Sequence, residues 1–253
     1  MEPGRADIDV LTAPGLERRG VLAAFTQRAG GESPPPFDSL NLGFRTGDDR
    51  DRVRRNRGRA VSGLGIGPFA VARQVHGAAV ARVPVEAAGA GFHDPAAALG
   101  PADILVTSAR GLPLAVLVAD CLPIVLVSDH LLAAVHAGWR GLAAGIVARA
   151  AAEFEDRSVV SAAIGPAIGP CHYEVGDEVV TAVDRGSGGG AVVERRDGST
   201  ALNLRATAVR ALVAAGIRDV KVIELCTACE PGRFYSHRRD GTTGRHAMVA
   251  MRT

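Results

Sequence analysis

The chain has 253 residues, of which 47% are apolar and 22% charged, enough apolar material to bury a large core in a soluble globular protein. A net charge of +2 and an aromatic content of 4% argue against the basic, base-stacking surface of a nucleic-acid binder and against attraction to a membrane surface. Residues 1–19 are polar and broken by Pro3 and Pro14, no apolar run reaches bilayer length, and four cysteines are too few for a disulfide scaffold, so a cytoplasmic protein, expected to be a monomer, is anticipated.

Residues 1–20 read as an N-terminal extension and residues 21–253 as one domain. Residues 21–26 are a strand candidate that leads into Arg28-Ala29-Gly30-Gly31 and a Pro34-Pro35-Pro36 loop, followed by a glycine-marked loop over 41–48. The basic run 50–59 after Asp48-Asp49 reads as the solvated face of a helix, and short extended pieces at 69–73 and 78–81 flank Gly77. Apolar and β-branched runs at 102–107 and 114–119 predict buried strands, and the runs 123–127 and 131–135 around Ser128-Asp129-His130 predict a hairpin. The glycines of 138–141 mark a strand-to-helix turn into an alanine-rich helix over 142–154, whose first N–H groups suit an anion. Further on, the pattern predicts a strand at 159–164, a helix at 175–183, a flexible loop at 185–190, a helix at 201–215 ending before Gly216, and strands at 220–225 and 247–251. No internal repeat is present. The fold class is α/β (mixed α+β): a single layered domain with a mixed, largely antiparallel sheet and flanking helices.

Three residues of metal-binding type stand in three distinct blocks: His76 in Arg73-Gln74-Val75-His76-Gly77, Cys121 in Ala119-Asp120-Cys121-Leu122-Pro123, and His136 in His136-Ala137-Gly138-Trp139-Arg140-Gly141. Taken singly, a free cysteine or a lone histidine is more often structural. The hairpin supplies the link between two of them. With Asp129 and His130 as the turn residues, Ser128 faces Leu131 and Pro123 lies opposite His136. Cys121 is then one diagonal step beyond on the same face, within about 7–8 Å, whereas a three-residue turn would rotate the side chains away. His76 has no such local anchor. Two imidazoles and one thiolate are a zinc donor set, and a fourth position left open is the mark of a catalytic site, so an enzyme is expected. Cys226-Thr227-Ala228-Cys229 has the spacing of a redox or zinc half-site, but without a second such pair a structural or incidental role is expected. Cys171 and His172 follow Gly169-Pro170 in a turn-like stretch.

With these blocks, Ile164-Gly165-Pro166-Ala167-Ile168-Gly169-Pro170-Cys171, Phe234-Tyr235-Ser236-His237-Arg238-Arg239-Asp240-Gly241, Thr243-Gly244-Arg245, Ser39-Leu40-Asn41-Leu42-Gly43 and Thr46-Gly47-Asp48 closely resemble the YfiH-type laccase-domain family, also labelled polyphenol oxidase, from about Val21 to the C-terminus. That resemblance implies a fold related to cysteine-hydrolase-like toxins and a zinc, with copper less favoured, held by His76, Cys121 and His136 as the catalytic residues. It also implies phosphorolysis of adenosine, inosine and methylthioadenosine to free base and ribose 1-phosphate or its methylthio form, with adenosine deamination as a companion activity. Two positions depart from the family's pattern, Arg45 where histidine is frequent and His246 where methionine is frequent, and both are expected to retune the pocket.

Deamination suits a zinc that acidifies water for attack at C6 of adenine. Phosphorolysis needs phosphate beside the ribose C1′, and guanidinium forks suit it. Arg28, Arg45, Arg238, Arg239 and Arg245, with Asn41, are therefore the candidate substrate residues, ion pairs with Asp48 and Asp240 being the competing use of the arginines. Three other readings use the same residues differently. A metal-free hydrolase would make Cys121 a nucleophile with His136 or His76 as base. A copper oxidase needs more than the seven histidines present, none of which forms a His-x-His pair. A noncatalytic, zinc-stabilised partner protein would use four ligands, recruiting Cys171 or His172.

Overall fold

A computed structural model describes residues 6–196 and 198–253. In chain order the strands are β1 (Val10–Thr12), β2 (Val21–Thr26), β3 (Ala72–Arg73), β4 (Val80–Arg82), β5 (Leu99–Pro101), β6 (Ile104–Thr107), β7 (Leu114–Val118), β8 (Leu122–Val127), β9 (Leu132–Ala137), β10 (Ser161–Ile164), β11 (Val193–Arg196), β12 (Ser199–Leu202), β13 (Asp219–Val222) and β14 (His246–Arg252). The helices are α1 (Arg50–Leu64), α2 (Trp139–Ala143), α3 (Ile146–Ala151), α4 (Asp177–Gly186), α5 (Leu204–Ala214) and α6 (His237–Asp240). None of the described helices is long and apolar enough to cross a membrane.

Two sheets carry the fold. One has four strands in the order β1-β2-β14-β7, all antiparallel, and the other six in the order β13-β10-β8-β9-β6-β4, with parallel pairs only at its two edges. The sheet system is thus mixed and largely antiparallel. Side-chain alternation along single strands explains the layering. In β8, Val125 and Val127 face the four-stranded sheet, packing with Phe25, Leu114 and Met248, while Ile124 and Leu126 face a second core under α3 and α5 that includes Ile146, Val147, Leu204 and Leu212. In β14, Met248 and Ala250 join the inter-sheet core, and Ala247 and Val249 face a third core with Ala60 and Leu64 of α1, Phe69 and Phe92. Strands buried on both faces read as unbroken apolar runs, which is why 122–127 and 132–137 show no polar alternation.

Local chemistry sets several boundaries. Asp49 starts α1 by accepting the N–H groups of Asp51 and Arg52 at 3.1 and 2.9 Å, and Gly65 ends it in the left-handed region at φ 68. The single helix expected over 142–154 is two short ones, because Gly145 adopts φ 72 and breaks the hydrogen-bond ladder between α2 and α3. The helix expected from 201 begins at Leu204, since Ser199–Leu202 pairs with Val193–Arg196 and Asn203 caps the helix start by accepting from Ala206 N. Val10–Thr12 adds an edge strand to β2. Arg57 departs from the solvated helix face expected of run 50–59. It is 2% exposed and donates to the carbonyls of Leu42, Gly91 and Phe92, and burial lowers its ionisation to about 9.

His246 heads β14 in the core between Phe234 and Tyr235, away from the cleft described below, with neither ring nitrogen bonded to a protein group. β14 turns this side chain inward, so His246 is not among the residues that line the cleft, although its neighbour Arg245 is. Burial first, then the nearby Arg245 charge, depress its imidazole from 6.5 to about 3. The unfolded chain takes up a proton below pH 6.5 that the folded chain refuses, so the associated stability is complete above that pH and drains as pH falls toward 3. His246→Met removes two unsatisfied buried atoms, each costing about 1–3 kcal/mol, and is expected to raise Tm by at least roughly 2 °C at pH 7. Scanning calorimetry should show this advantage widening from pH 7 to pH 5, and an advantage that is absent or constant would contradict the assignment.

Candidate metal centre and cleft

The β8–β9 hairpin has the register expected from its turn. Ser128 N–H donates to Leu131 O at 2.9 Å and Pro123 pairs with His136, so Cys121, at the mouth of β8, comes to the His136 side chain. His76 arrives by tertiary pairing. β4 runs parallel to β6 with Val80 opposite Ile104, which lays the loop before β4 beside Asp103, the residue before β6. The Gln74 side chain holds that loop from the other side, donating to Leu117 O and accepting from Leu117 N–H, both at 2.8 Å, as an amide imitation of a strand partner.

Asp103 is 1% exposed and is the centre of this arrangement. Its carboxylate accepts the backbone N–H groups of Val75, His76 and Gly77 at 3.2, 3.0 and 2.7 Å, and lies 2.8 Å from His136 Nδ1. Burial alone would raise the Asp103 carboxyl, but His136 and the donated N–H groups outweigh it and hold it below its usual value. The contact to Nδ1 leaves His136 Nε2 as the ring nitrogen available to a metal. The only non-glycine residues with positive φ among the described residues are His76 at φ 60 and Asp120 at φ 95, one a member of the cluster and the other adjacent to Cys121. Asp120 is held in that conformation by Thr227 Oγ1–H at 2.6 Å and Arg238 N–H at 2.7 Å, both donated to its carboxylate.

The donor atoms of His76, Cys121 and His136 lie within 4.8 Å of one another, with the two imidazole rings at 71° and 4.8 Å between centroids, so these residues can hold a metal ion. Gly138 keeps the space beside them open: a Cβ there would stand 2.9 Å from Cys121 Sγ and 3.3 Å from His76 Cδ2. Burial alone would raise the Cys121 thiol, but His136 and His76 outweigh it and bring it down to about 6. Burial alone would lower His136, but the Cys121 thiolate and Asp103 carry it up to about 9. The two imidazoles thus favour the thiolate form of Cys121, the form a metal takes.

The cluster forms the floor of a cleft of about 560 Å³. Of the expected substrate residues, Arg45, Arg238 and Arg245 line this cleft, whereas Arg28, Asn41 and Arg239 do not. Arg28 is spent on Asp38, at 3.0 Å, and on Pro231 O. Asn41 is fully buried, bonding Thr46 and Asp48 and accepting from Gly43 and Arg245 N–H groups, which knots the 41–48 loop to the segment that leads into β14. Arg239 pairs with Asp240 at 2.6 Å and donates to the carbonyls of Thr227, Ala228 and Phe234. Asp48 bonds Ser33 and Asn41 and takes no arginine among the described residues. Sequence reasoning missed Asp103, Arg57, Arg73, Arg140 and Tyr173. The lone acid beside the apolar run 104–107 was a usable signal for Asp103. Arg73 and Arg140 stand in the blocks of His76 and His136, whereas Arg57 and Tyr173 carry no local mark of the site.

Fold and cluster together define an enzyme domain that can hold one metal ion at the base of an arginine-lined cleft. The chain belongs to the multi-copper polyphenol oxidoreductase laccase family, whose profile matches residues 22–253. It is 41% identical over 241 residues to the purine nucleoside phosphorylase YlmD of Geobacillus stearothermophilus, covering 89% of this chain and 88% of that one. It is 42% identical over 260 residues to a purine nucleoside phosphorylase of Xylella fastidiosa strain 9a5c, covering 98% of both. The crystal structure of the Geobacillus YlmD superposes with a TM-score of 0.88 at 37% identity, covering 99% of each chain, and that of the Bacillus licheniformis hypothetical protein YfiH with 0.89 at 32%, covering 100% of each.

Asp103→Asn keeps the volume but loses an acceptor oxygen and the charge behind His136. Metal affinity, read by competition with a chromophoric chelator, is expected to fall about 10–100-fold. Unchanged affinity would remove Asp103 from its orienting role.

Proposed function

We propose that this protein is a zinc-dependent purine nucleoside phosphorylase that cleaves adenosine, inosine and methylthioadenosine with phosphate, and that also deaminates adenosine. The observation that carries this reading is the meeting of two features in one cleft: the Cys-His₂ cluster on its floor, and a wall formed by Arg45, Arg57, Arg73, Arg140, Arg238 and Arg245, with Asp120 the one carboxylate among the described lining residues. Such a surface suits an anion. The family relatives named purine nucleoside phosphorylase support the same substrate class.

The donor set fits zinc: one thiolate, one imidazole oriented by a buried carboxylate, and a third ligand on a loop pinned by the same carboxylate. A bound zinc would supply Lewis-acid polarisation and acidify a water in its open position, the chemistry deamination calls for. The chain's own residues account for the binding of phosphorolysis. Arg45 is exposed and makes no hydrogen bond or ion pair with another described residue, so its fork is available to phosphate. Arg238 lies 4.9 Å over the Tyr173 ring and donates to Glu174 O, and Arg245 donates to the carbonyls of Thr243 and Gly244, fixing two further positive charges on the wall. Tyr173 and Trp139 offer aromatic surface to a purine. A phosphate oxygen held there attacks C1′, the glycosidic C–N bond breaks, and its electron pair leaves with the base, which takes a proton.

A second reading has one observation in its favour. Cys121, His136 and Asp103 also stand in the order nucleophile, base and orienting carboxylate, which supports the relation to cysteine-hydrolase-like toxins and a metal-free hydrolase. Metal removal separates the two.

Purified protein incubated with adenosine, inosine and methylthioadenosine, with and without phosphate, is expected to release free base and the ribose phosphate only when phosphate is present, as followed by chromatography. Free base released at the same rate without phosphate would overturn phosphorolysis. Chelation, Cys121→Ala and His136→Ala should each lower turnover by about 10²-fold or more, with zinc restoring only the chelated enzyme. Activity that survives chelation but is lost in Cys121→Ala would favour the hydrolase. Arg45→Ala should raise the KM for phosphate several-fold with little change in kcat.

A further inference from the structure

The Cys226-Thr227-Ala228-Cys229 turn, expected from sequence to be structural or incidental for want of a second pair, has its missing partners in space. Cys171 and His172 lie against it, and the four donor atoms fall within 4.8 Å of one another. We propose that Cys171, His172, Cys226 and Cys229 form a second metal site, a closed Cys₃His zinc site separate from the cleft cluster. It rests on its own geometry and is independent of the nucleoside reading.

Four of the six donor-to-donor distances are close to a tetrahedron's edges, and the other two lie within 4.8 Å. Zinc bonds of about 2.3 Å to sulfur and about 2.0–2.1 Å to nitrogen place tetrahedral sulfurs about 3.8 Å apart and sulfur about 3.6 Å from nitrogen. Here Cys171 Sγ and Cys229 Sγ are 3.5 Å apart, and His172 Nδ1 stands 3.3 Å from Cys171 Sγ, 3.4 Å from Cys229 Sγ and 3.9 Å from Cys226 Sγ. A disulfide needs about 2.05 Å, and all four cysteines are free thiols. Four protein donors leave no open position, which separates this cluster from the three-donor set in the cleft and marks it as structural.

The surroundings suit a bound thiolate–metal group. Gly169 N–H donates to Cys226 Sγ at 3.2 Å, the kind of bond that orients a ligand sulfur. A Cβ at Gly169 would stand 3.2 Å from Cys171 Sγ and 3.2 Å from Arg205 Nη2, so the turn passes closely between the sulfurs and a guanidinium. Three thiolates around a divalent ion leave one net negative charge, which Arg205 faces. Arg205 is itself fixed by donating to the carbonyls of Ala167 and Leu225 at 3.0 and 2.8 Å, one in each ligand-bearing segment.

The same two segments meet at Asp120. Ile168 N–H donates to Asp120 O at 3.0 Å and Thr227 Oγ1–H to its carboxylate at 2.6 Å, while Arg238 Nη1 donates to Glu174 O. A metal joining 171–172 to 226–229 therefore fastens together the loops that hold Asp120 beside Cys121 and Arg238 at the cleft wall.

The test is zinc per chain on full-length protein purified anaerobically with a phosphine reductant. Wild type is expected to hold two zinc ions, Cys229→Ser one and Cys121→Ser one. With cobalt in place of zinc, Cys121→Ser should keep the intense sulfur-to-metal absorption of a three-thiolate site, and Cys229→Ser should lose most of it. His172→Ala, at an exposed ligand, serves if Cys229→Ser does not fold, and is expected to lose the same ion. One zinc in wild type, unchanged in Cys229→Ser or His172→Ala, would overturn the proposal. So would a Cys171–Cys229 disulfide in the reductant-treated protein, seen as the loss of two hydrogens in its mass. Neither readout depends on nucleoside turnover, so failure here leaves the phosphorylase reading standing, and the reverse holds too.

Discussion

A buried carboxylate without partners would be expelled or protonated, and Asp103 escapes both fates only because four groups converge on it. Three are consecutive backbone N–H groups of the loop bearing His76, and the fourth is the His136 ring. This single requirement makes the loop conformation, the positive φ of His76 and the orientation of His136 one interdependent arrangement. The strands around it supply rigidity. β6 lies between β4 and β9, so Asp103 is fixed by the same pairings that carry the chain toward His76 on one side and His136 on the other.

Asp120 repeats the device beside Cys121. Its carboxylate takes a hydroxyl from the Cys226–Cys229 turn and an N–H from the start of α6, and its carbonyl takes the N–H of Ile168. Cys121 is thereby held at the end of a strand buried on both faces, by contacts that come from three distant stretches of chain. The arginines divide on the same principle. Those whose forks are saturated by carbonyls and carboxylates, such as Arg28 and Arg239, tie loops together, and those that reach the cleft keep their charge facing the space where a substrate would sit. Arg57 belongs to both groups, since it reaches the cleft wall yet spends its donors on three carbonyls.

Several features could be read directly from residues. A two-residue turn and period-two alternation place Cys121 and His136 together without knowledge of the rest of the chain, and the observed pairing of Pro123 with His136 follows that rule. The doubly buried strands announced themselves as apolar runs. The 142–154 run reads as one helix because a glycine in an alanine-rich stretch is compatible with a helix, whereas in the folded chain Gly145 takes the left-handed conformation that splits it. Cys226 and Cys229 have no second pair close in sequence, and their partners stand on a turn brought up by the parallel pairing of β10 with β13.

Sequence by itself determined the mixed, layered fold class, the apolar runs that become its strands, and the hairpin that joins one thiol to one imidazole, because each of these depends on interactions between neighbours along the chain. Tertiary structure alone decided the arrival of His76, the burial of Asp103, which arginines face the cleft, and the gathering of Cys171 and His172 with Cys226 and Cys229. These depend on strand order and on partners for buried charge. Both are settled when separate segments compete for the same core and the same hydrogen bonds, a competition that no local spacing records.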